Sequence, residues 1–335
     1  MKKRPEKTYS VAVVATMSAG KSTLLNAMIG RSLLPTSCLA CTSSIFSVVD
    51  VDEAHEFEVR SNERGRAKWI PADRKTLAAM NTSGRTNIEL RGNLLGIANL
   101  KRGGIRVKFI DTPGPNNSEN VVHGVLLRNA LKKADFSAVI FVLNAASLHT
   151  TDELSLLRHL NDLLCRRKGR VSVAFVLNRM DAFFHGGECN KSLSEIVSST
   201  RMYLQEKLGF NNPAVIPTWA ALSLECRRLL HEENYVDSLD EDEEDAIILG
   251  MKKIQTHRTE IEDATLVSQL KRDATSGSAR GDVIFRHSRM RVSRNDLINA
   301  DGLSGIPMLE QWAECQMARH FRAENNSTLK RRKVL

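Results

Sequence analysis

The sequence predicts an α/β fold of three layers, in which helices cover both faces of a mostly parallel central sheet. Segments 137–143 and 171–177 are almost continuously apolar, a pattern typical of parallel strands buried on both faces. Helical patterns alternate with such strands along the chain. A further apolar segment, 9–14, leads through a glycine-containing loop into a helical pattern. Strand, loop and helix in this order form a phosphate-binding arrangement.

The composition is that of a globular chain able to bury a core, with 42% hydrophobic and 26% charged residues among 335. No run of 18 apolar residues indicates a membrane span, and segment 1–7 lacks the apolar stretch of a signal peptide. The six cysteines are scattered, which is typical of reduced thiols. We therefore expect a cytoplasmic protein.

The net charge of +9 is concentrated partly at the two ends of the chain. We interpret 1–8 and 323–335 as basic tails that flank one domain over 9–322. Such tails could attach the protein to anionic lipid at the inner membrane face or to nucleic acid. Solvated termini are the alternative interpretation.

The loop after the first strand reads Ala-Thr-Met-Ser-Ala-Gly-Lys-Ser-Thr over 15–23 and matches a P-loop except at its first position. The candidate nucleotide-binding residues in it are Ala19, Gly20, Lys21, Ser22 and Thr23. Lys21 would reach the β- and γ-phosphates, and the Ser22 hydroxyl would bind Mg²⁺. Ala15 stands where this loop usually begins with glycine, so the turn is expected to differ slightly.

A polar, turn-prone segment follows and precedes a strand at 45–49. In P-loop GTPases a threonine at this place binds Mg²⁺ from a mobile switch. Thr36, Thr42 and Ser43 are the candidates, and we favour Thr42 as the metal ligand because it directly precedes the strand. A plain strand cap is the alternative.

Residues 51–104 depart from the regular alternation of buried strands and helices and form an excursion. This segment has strand-like alternation at 56–60 and 87–90 and a short helical pattern at 71–80. Strand 105–110 comes next and ends in Asp-Thr-Pro-Gly.

Asp111 would hold Mg²⁺ through water, and the N–H of Gly114 would sense the γ-phosphate. A helical pattern follows over 121–133 and another over 154–164.

The strand at 171–177 ends in Asn178-Arg-Met-Asp181, which resembles the guanine-reading Asn-Lys-x-Asp pattern. Asp181 would accept from two guanine nitrogens, and Asn178 would contact O6 and N7. Arg179 replaces the usual lysine, and its aliphatic stem would cover the base. An aspartate here would reject adenine, whose donors and acceptors are reversed.

A helical pattern at 192–208 and a strand at 214–217 lead to Trp219 and Ala220. These two are positional candidates for a backbone N–H that binds guanine O6. The alternative for Trp219 is an ordinary core position.

Residues 232–300 have the character of an insertion, with an acidic run at 240–245, helical character over 245–270 and a basic stretch at 286–294. A closing helix begins near 305 and is expected to run to about 322, packed back on the sheet.

Three motifs in this order resemble those of P-loop GTPases. The stretch Asp-Thr-Pro-Gly-Pro-Asn-Asn-Ser over 111–118 is similar to that of bacterial dynamin-like GTPases. Segments 92–97, 105–110 and 304–310 are similar to that group as well.

The resemblance implies GTP hydrolysis, a homodimer formed across the nucleotide, and K⁺ or Na⁺ that helps to align water. Ser18 fits the catalytic serine of the dynamin loop, whereas Met17 stands where glutamine is frequent. The given sequence ends about where a dynamin GTPase domain would end, so we expect either a stalk-bearing partner protein or a truncated or divergent relative.

Two alternatives remain open from the sequence. The charge of +9 suggests an Era-like GTPase linked to RNA or the ribosome, although no RNA-binding module is recognisable. Ala15 and Met17 motivate the other alternative, a non-catalytic scaffold that binds GTP and hydrolyses little.

Overall fold

The computed structural model describes residues 7–16, 18–35, 45–51, 54, 56–61, 67–82, 87–94, 105–112, 136–148, 150–167, 171–184, 191–267, 283–287 and 290–332. The strands in these ranges are β1 (Lys7–Ala15), β2 (Ile45–Asp50), β3 (Glu58–Ser61), β4 (Ile70–Pro71), β5 (Asn87–Gly92), β6 (Ile105–Asp111), β7 (Ala138–Asn144), β8 (Ser172–Asn178), β9 (Ala214–Thr218), β10 (Val283–His287) and β11 (Met290–Ser293). The α-helices are α1 (Lys21–Ile29), α2 (Arg74–Thr82), α3 (Thr151–Arg166), α4 (Leu193–Met202), α5 (Ala220–His231), α6 (Glu241–Thr256), α7 (Arg258–Val267), α8 (Arg294–Leu303) and α9 (Ile306–Arg332).

Within the described ranges nine strands form one sheet in the order β4-β3-β5-β2-β6-β1-β7-β8-β9. The five strands from β6 to β9 in this order are parallel to one another. On the other side, β2 is antiparallel to β6 and parallel to β5, and β3 is antiparallel to both of its neighbours. The mostly parallel sheet predicted from the sequence is confirmed, and the excursion widens it on one side.

Side chains of β1 alternate between two hydrophobic layers. Tyr9, Val11 and Val13 pack into a cluster with α1 and α9, whereas Ala12 and Val14 pack into another with α3 and α4. Each large apolar side chain buried in this way contributes about 1.5–3 kcal/mol. Helices therefore cover both faces of the parallel strands, as a three-layer fold requires.

The segment that resembled an insertion is part of the core. Ile247, Ile254 and Ile261, from α6 and α7, are buried in the same cluster as the sheet residues Phe141 and Phe175. The single helical stretch expected over 245–270 is instead two helices that meet at His257.

The acidic run belongs to the start of α6, where the Asp240 side chain accepts from the Glu243 N–H and forms a capping box. The basic stretch at 286–294 runs through the antiparallel pair β10–β11 into α8.

Helix α9 closes the structure and packs its residues Ile306, Leu309 and Trp312 against the sheet. It continues to Arg332, about ten residues beyond the predicted end. The turn before it requires glycine, because Gly305 has φ +80° and a Cβ there would lie 2.0 Å from the Pro217 carbonyl oxygen. The helix predicted over 121–133 lies outside the described residues.

Among the helices in the described part of the chain, none combines the length and the apolar character needed to cross a membrane.

Candidate nucleotide site

The loop between β1 and α1 leads directly into the first turn of the helix. Ser18 is exposed with φ 60°, and Gly20 caps α1 with φ 84°. Glycine offers no side chain to the N–H groups of the first turn, and that turn contains no acidic residue. These N–H groups and the positive end of the helix dipole therefore form a site suited to an anion such as phosphate.

Lys21 and Asp111 form a buried ion pair beside this loop. Asp111 is 3% exposed at the end of β6, where it pairs in register with Val13 of β1 and Phe46 of β2. Burial raises the pKa of the Asp111 carboxyl, and the neighbouring ammonium of Lys21 opposes that rise. Asp111, predicted from the sequence as a metal-site residue, thus lies next to the P-loop lysine.

Thr112 holds the end of β6 against β1, a role that the sequence did not reveal. Its Oγ1 donates to the Val13 carbonyl at 2.7 Å, and its N–H donates to the same oxygen at 3.3 Å. These two bonds fix the position of Asp111 relative to the loop that follows β1.

Asn178 connects the phosphate loop to the loops after β8 and β9. Its Nδ2 donates to the Ala19 carbonyl at 3.0 Å, and its Oδ1 accepts from Thr218 Oγ1 and from the Ala220 N–H, both at 3.2 Å. Both lone pairs of the amide oxygen are therefore used within the protein, and the described residues supply an acceptor to only one of the two amide N–H groups.

Gly20 has to be glycine at this junction, because a Cβ on it would lie 2.4 Å from Asn178 Nδ2.

Arg179 and Asp181 lie on the turn that follows β8. Arg179 is exposed with φ 66° and caps a short 3₁₀ helix, Met180–Phe183. Asp181 is half-buried in this helix, beside the fully buried Met180. The turn places both residues at the carboxyl edge of the sheet, where α/β proteins bind ligands.

The backbone N–H groups of Trp219 and Ala220 both donate within the protein. Trp219 donates to the Ser304 carbonyl at 2.8 Å, and Ala220 donates to Asn178. Contact of either group with guanine O6 would require one of these bonds to break. The Trp219 ring is partly buried and packs against the hydrophobic cluster, in agreement with the core alternative.

Thr42 and Gly114 lie outside the described residues, as do Met17, Thr36 and Ser43. The start of the segment that leads to Thr42 is described, and Asn26 holds it. Asn26 Oδ1 accepts from the N–H groups of Leu33 and Leu34, and its Nδ2 donates to the Leu34 carbonyl. The sequence shows an asparagine among the apolar residues of the P-loop helix, but it does not show that Leu33 and Leu34 are its partners.

The donor set fits Mg²⁺. The hydroxyl of Ser22, in the first turn of α1, and the carboxylate of Asp111 are the hard oxygen ligands that this ion prefers. Among the described residues no group of three or more His, Cys, Asp or Glu side chains could form a metal cage. Mg²⁺ typically needs no such cage, because phosphates and water complete its coordination.

Comparison with known proteins places these features in a family. The family model described as the dynamin family matches residues 11–180, which run from β1 to Met180, just before Asp181. No curated protein sequence matches the chain.

Among solved structures, the chain is similar to an oligomerised bacterial dynamin pair described in relation to sensing and tethering of membranes, with 17% identity and a TM-score of 0.46. The match covers 77% of this chain and 40% of that one, so the chain spans less than half the length of that dynamin.

The chain is also similar to the G domain of the FeoB iron transporter of T. maritima, with 18% identity and a TM-score of 0.30, over 64% of this chain and 88% of that one. For Era of Aquifex aeolicus the identity is 16% and the TM-score 0.33, over 64% of this chain and 52% of that one.

Proposed function

The chain belongs to the dynamin family, and we propose that it binds GTP with Mg²⁺ and hydrolyses it to GDP and phosphate. The observation that carries this proposal is the buried pair of Lys21 and Asp111 at the N-terminus of α1. A buried cation next to an anion-binding helix end supports binding of a charged phosphate chain.

Phosphate binding would change the partner of Lys21. The ammonium is held by Asp111, and an arriving phosphate would compete for it while the first-turn N–H groups of α1 bind phosphate oxygens. Asp111 would then be free to hold Mg²⁺ through water, with Ser22 and Thr42 as further ligands. Mg²⁺, when bound, neutralises charge on the β- and γ-phosphate oxygens.

Base recognition is assigned to the turn after β8. The carboxylate of Asp181 would accept from N1 and N2 of guanine, and the remaining N–H of Asn178 suits N7. The exposed stem of Arg179 would cover one face of the base. Because adenine offers the opposite donor and acceptor pattern, this arrangement favours GTP over ATP.

We propose that a second copy of the chain helps to align the water molecule that attacks the γ-phosphate. Ser18 is exposed at the tip of the loop and would contact the reacting phosphate, with Gly114 sensing the γ-phosphate. Family membership supports pairing across the nucleotide, with K⁺ or Na⁺ completing the site. Binding to an anionic membrane or to a stalk-bearing partner is a separate proposal, supported by the net charge of +9.

The test is phosphate release from GTP by the wild type and by Lys21→Ala, with Lys252→Ala on the exposed surface of α6 as the matched control. We expect Lys21→Ala to lose activity by about 100-fold or more, as for removal of a transition-state contact. Lys21→Arg keeps a charge beside Asp111 and shows whether a loss reflects folding or phosphate contact. Equal activity of the wild type and Lys21→Ala would contradict the proposal.

Pairing is tested by repeating the wild-type assay over a range of protein concentrations with K⁺ present. Specific activity that rises with concentration is the expected result, because each copy would complete the site of the other. A flat profile would contradict activation by pairing, and GTP binding without turnover would favour the scaffold alternative.

A further inference from the structure

We propose that the helix pair α6–α7 clamps the guanine-reading turn through an aromatic cluster, which makes Phe184 and His257 positioning residues for base recognition. The inference rests on the proposed function and concerns how its specificity arises. The cluster consists of Phe184, Trp219 and His257, which come from three separate parts of the chain.

The rings of Phe184 and His257 stack almost in parallel, with 4.5 Å between centroids and 6° between planes. Trp219 meets Phe184 edge to face, with 5.9 Å between centroids. Phe184 is buried between the two. Such pairs are worth more than the area they bury, so they favour one position of the Phe184 ring.

Phe184 is coupled directly to the residue that would read the base. It ends the 3₁₀ helix Met180–Phe183, and its N–H donates to the Asp181 carbonyl at 3.2 Å. A shift of the Phe184 ring would therefore displace the Asp181 backbone within one turn, and with it the carboxylate.

His257 is itself fixed at the corner between α6 and α7. Its Nδ1 lies 3.0 Å from Glu260 Oε2, and Glu260 Oε1 accepts from the N–H of Leu193 at 2.6 Å. The pair of His257 and Glu260 thus contacts both Phe184 and the first residue of α4. The His257 ring is thus held on one side by stacking on Phe184 and on the other by Glu260, which is itself bound to the backbone of α4.

Trp219 is backed by α6, the first helix of this pair. A Cβ on Gly250 of α6 would lie 3.6 Å from the Trp219 ring and 3.0 Å from Leu222, so the helix packs closely against the start of α5. Trp219 is followed by Ala220, whose N–H binds Asn178. Helices α6 and α7 therefore support both turns that would surround the base.

ITP separates positioning from ordinary packing, because its base lacks the 2-amino group that Asp181 would bind. The test measures the dissociation constants of GTP and ITP for the full chain and takes their ratio. General destabilisation would weaken the binding of both nucleotides alike, whereas displacement of Asp181 would weaken the binding of GTP selectively.

The variants are His257→Ala, His257→Phe, which keeps a stacking ring, and the control His320→Ala. His320 contacts Tyr9 edge to face, at the opposite edge of the sheet from the P-loop.

We expect the wild type to prefer GTP over ITP by about tenfold or more, as one bond to a carboxylate allows. His257→Ala should reduce that preference to about threefold or less, while kcat stays within about twofold. His257→Phe should restore it, and His320→Ala should leave it unchanged. If the wild type prefers GTP over ITP and His257→Ala keeps the same ratio of dissociation constants, this inference is overturned and the proposed function is not. A wild type without preference for guanine would overturn the proposed base recognition itself.

Discussion

Asn178 joins three segments around the candidate nucleotide site, because its side chain binds Ala19, Thr218 and Ala220. The motif at 178–181 places it at the end of a strand, and the structure agrees. Its oxygen, however, is occupied by Thr218 and Ala220, and one of its amide hydrogens by Ala19. Hydrogen-bond allocation depends on neighbours that are distant in sequence, so a motif alone cannot predict it.

Gly20 allows a prediction at the residue scale. Gly20→Ala would place a Cβ 2.4 Å from Asn178 Nδ2 on a backbone with φ +84°. We expect the free energy of unfolding to fall by about 2–3 kcal/mol, from left-handed strain and a disturbed bond to Ala19, and GTP binding to weaken. Chemical denaturation and nucleotide titration check both effects.

The matched control is Gly302→Ala, because a Cβ at this position of α8 meets nothing within 4 Å. Alanine should stabilise that helix by about 0.5–1 kcal/mol and leave binding unchanged. Similar effects of the two substitutions would contradict the close approach described for Gly20.

At the scale of elements, Arg227 joins four helices. From α5, its guanidinium donates to the Ala27 carbonyl of α1 at 3.0 Å, to Asp301 of α8 at 3.0 Å and to both oxygens of Glu310 of α9. All these groups are buried or nearly so, and a buried hydrogen-bonded cluster of this kind is costly to break. No periodicity in the sequence indicated these pairings.

This cluster predicts a dependence of stability on pH. Burial raises the pKa of the Glu310 carboxyl from 4.5 to about 7; Arg227 opposes this rise and Asp301 adds to it. The folded state therefore holds this proton more tightly than the unfolded chain. Its contribution is complete below pH 4.5 and is lost as the pH rises through about 7.

The comparison is between the wild type and Glu310→Gln, with Glu262→Gln on an exposed ion pair as the control. The free energy of unfolding of the wild type, relative to Glu310→Gln, should fall by up to about 3 kcal/mol between pH 5 and 8. Denaturant titrations at several pH values measure it. A constant or rising difference would show that Glu310 is ionised throughout.

At the scale of the whole molecule, most of the architecture could be predicted. Apolar runs at 137–143 and 171–177 indicated parallel strands, and the order of motifs indicated which strands carry the site. The break at His257 could not be predicted, because helical periodicity continues across it and the corner depends on packing against Phe184. The burial of α6 and α7 was missed for a related reason, since an acidic run at the start of a helix resembles a solvated segment.

The measurement that tests the central claim most directly is the affinity of the full chain for GTP and for ATP, each with Mg²⁺, by titration of fluorescent analogues. If Lys21 and Asp111 face the phosphates and Asp181 reads the base, GTP should bind about 100-fold more tightly than ATP or better. Lys21→Ala should weaken both. Equal affinities for GTP and ATP, or binding that does not depend on Lys21, would contradict the assignment of this edge of the sheet as a guanine-nucleotide site.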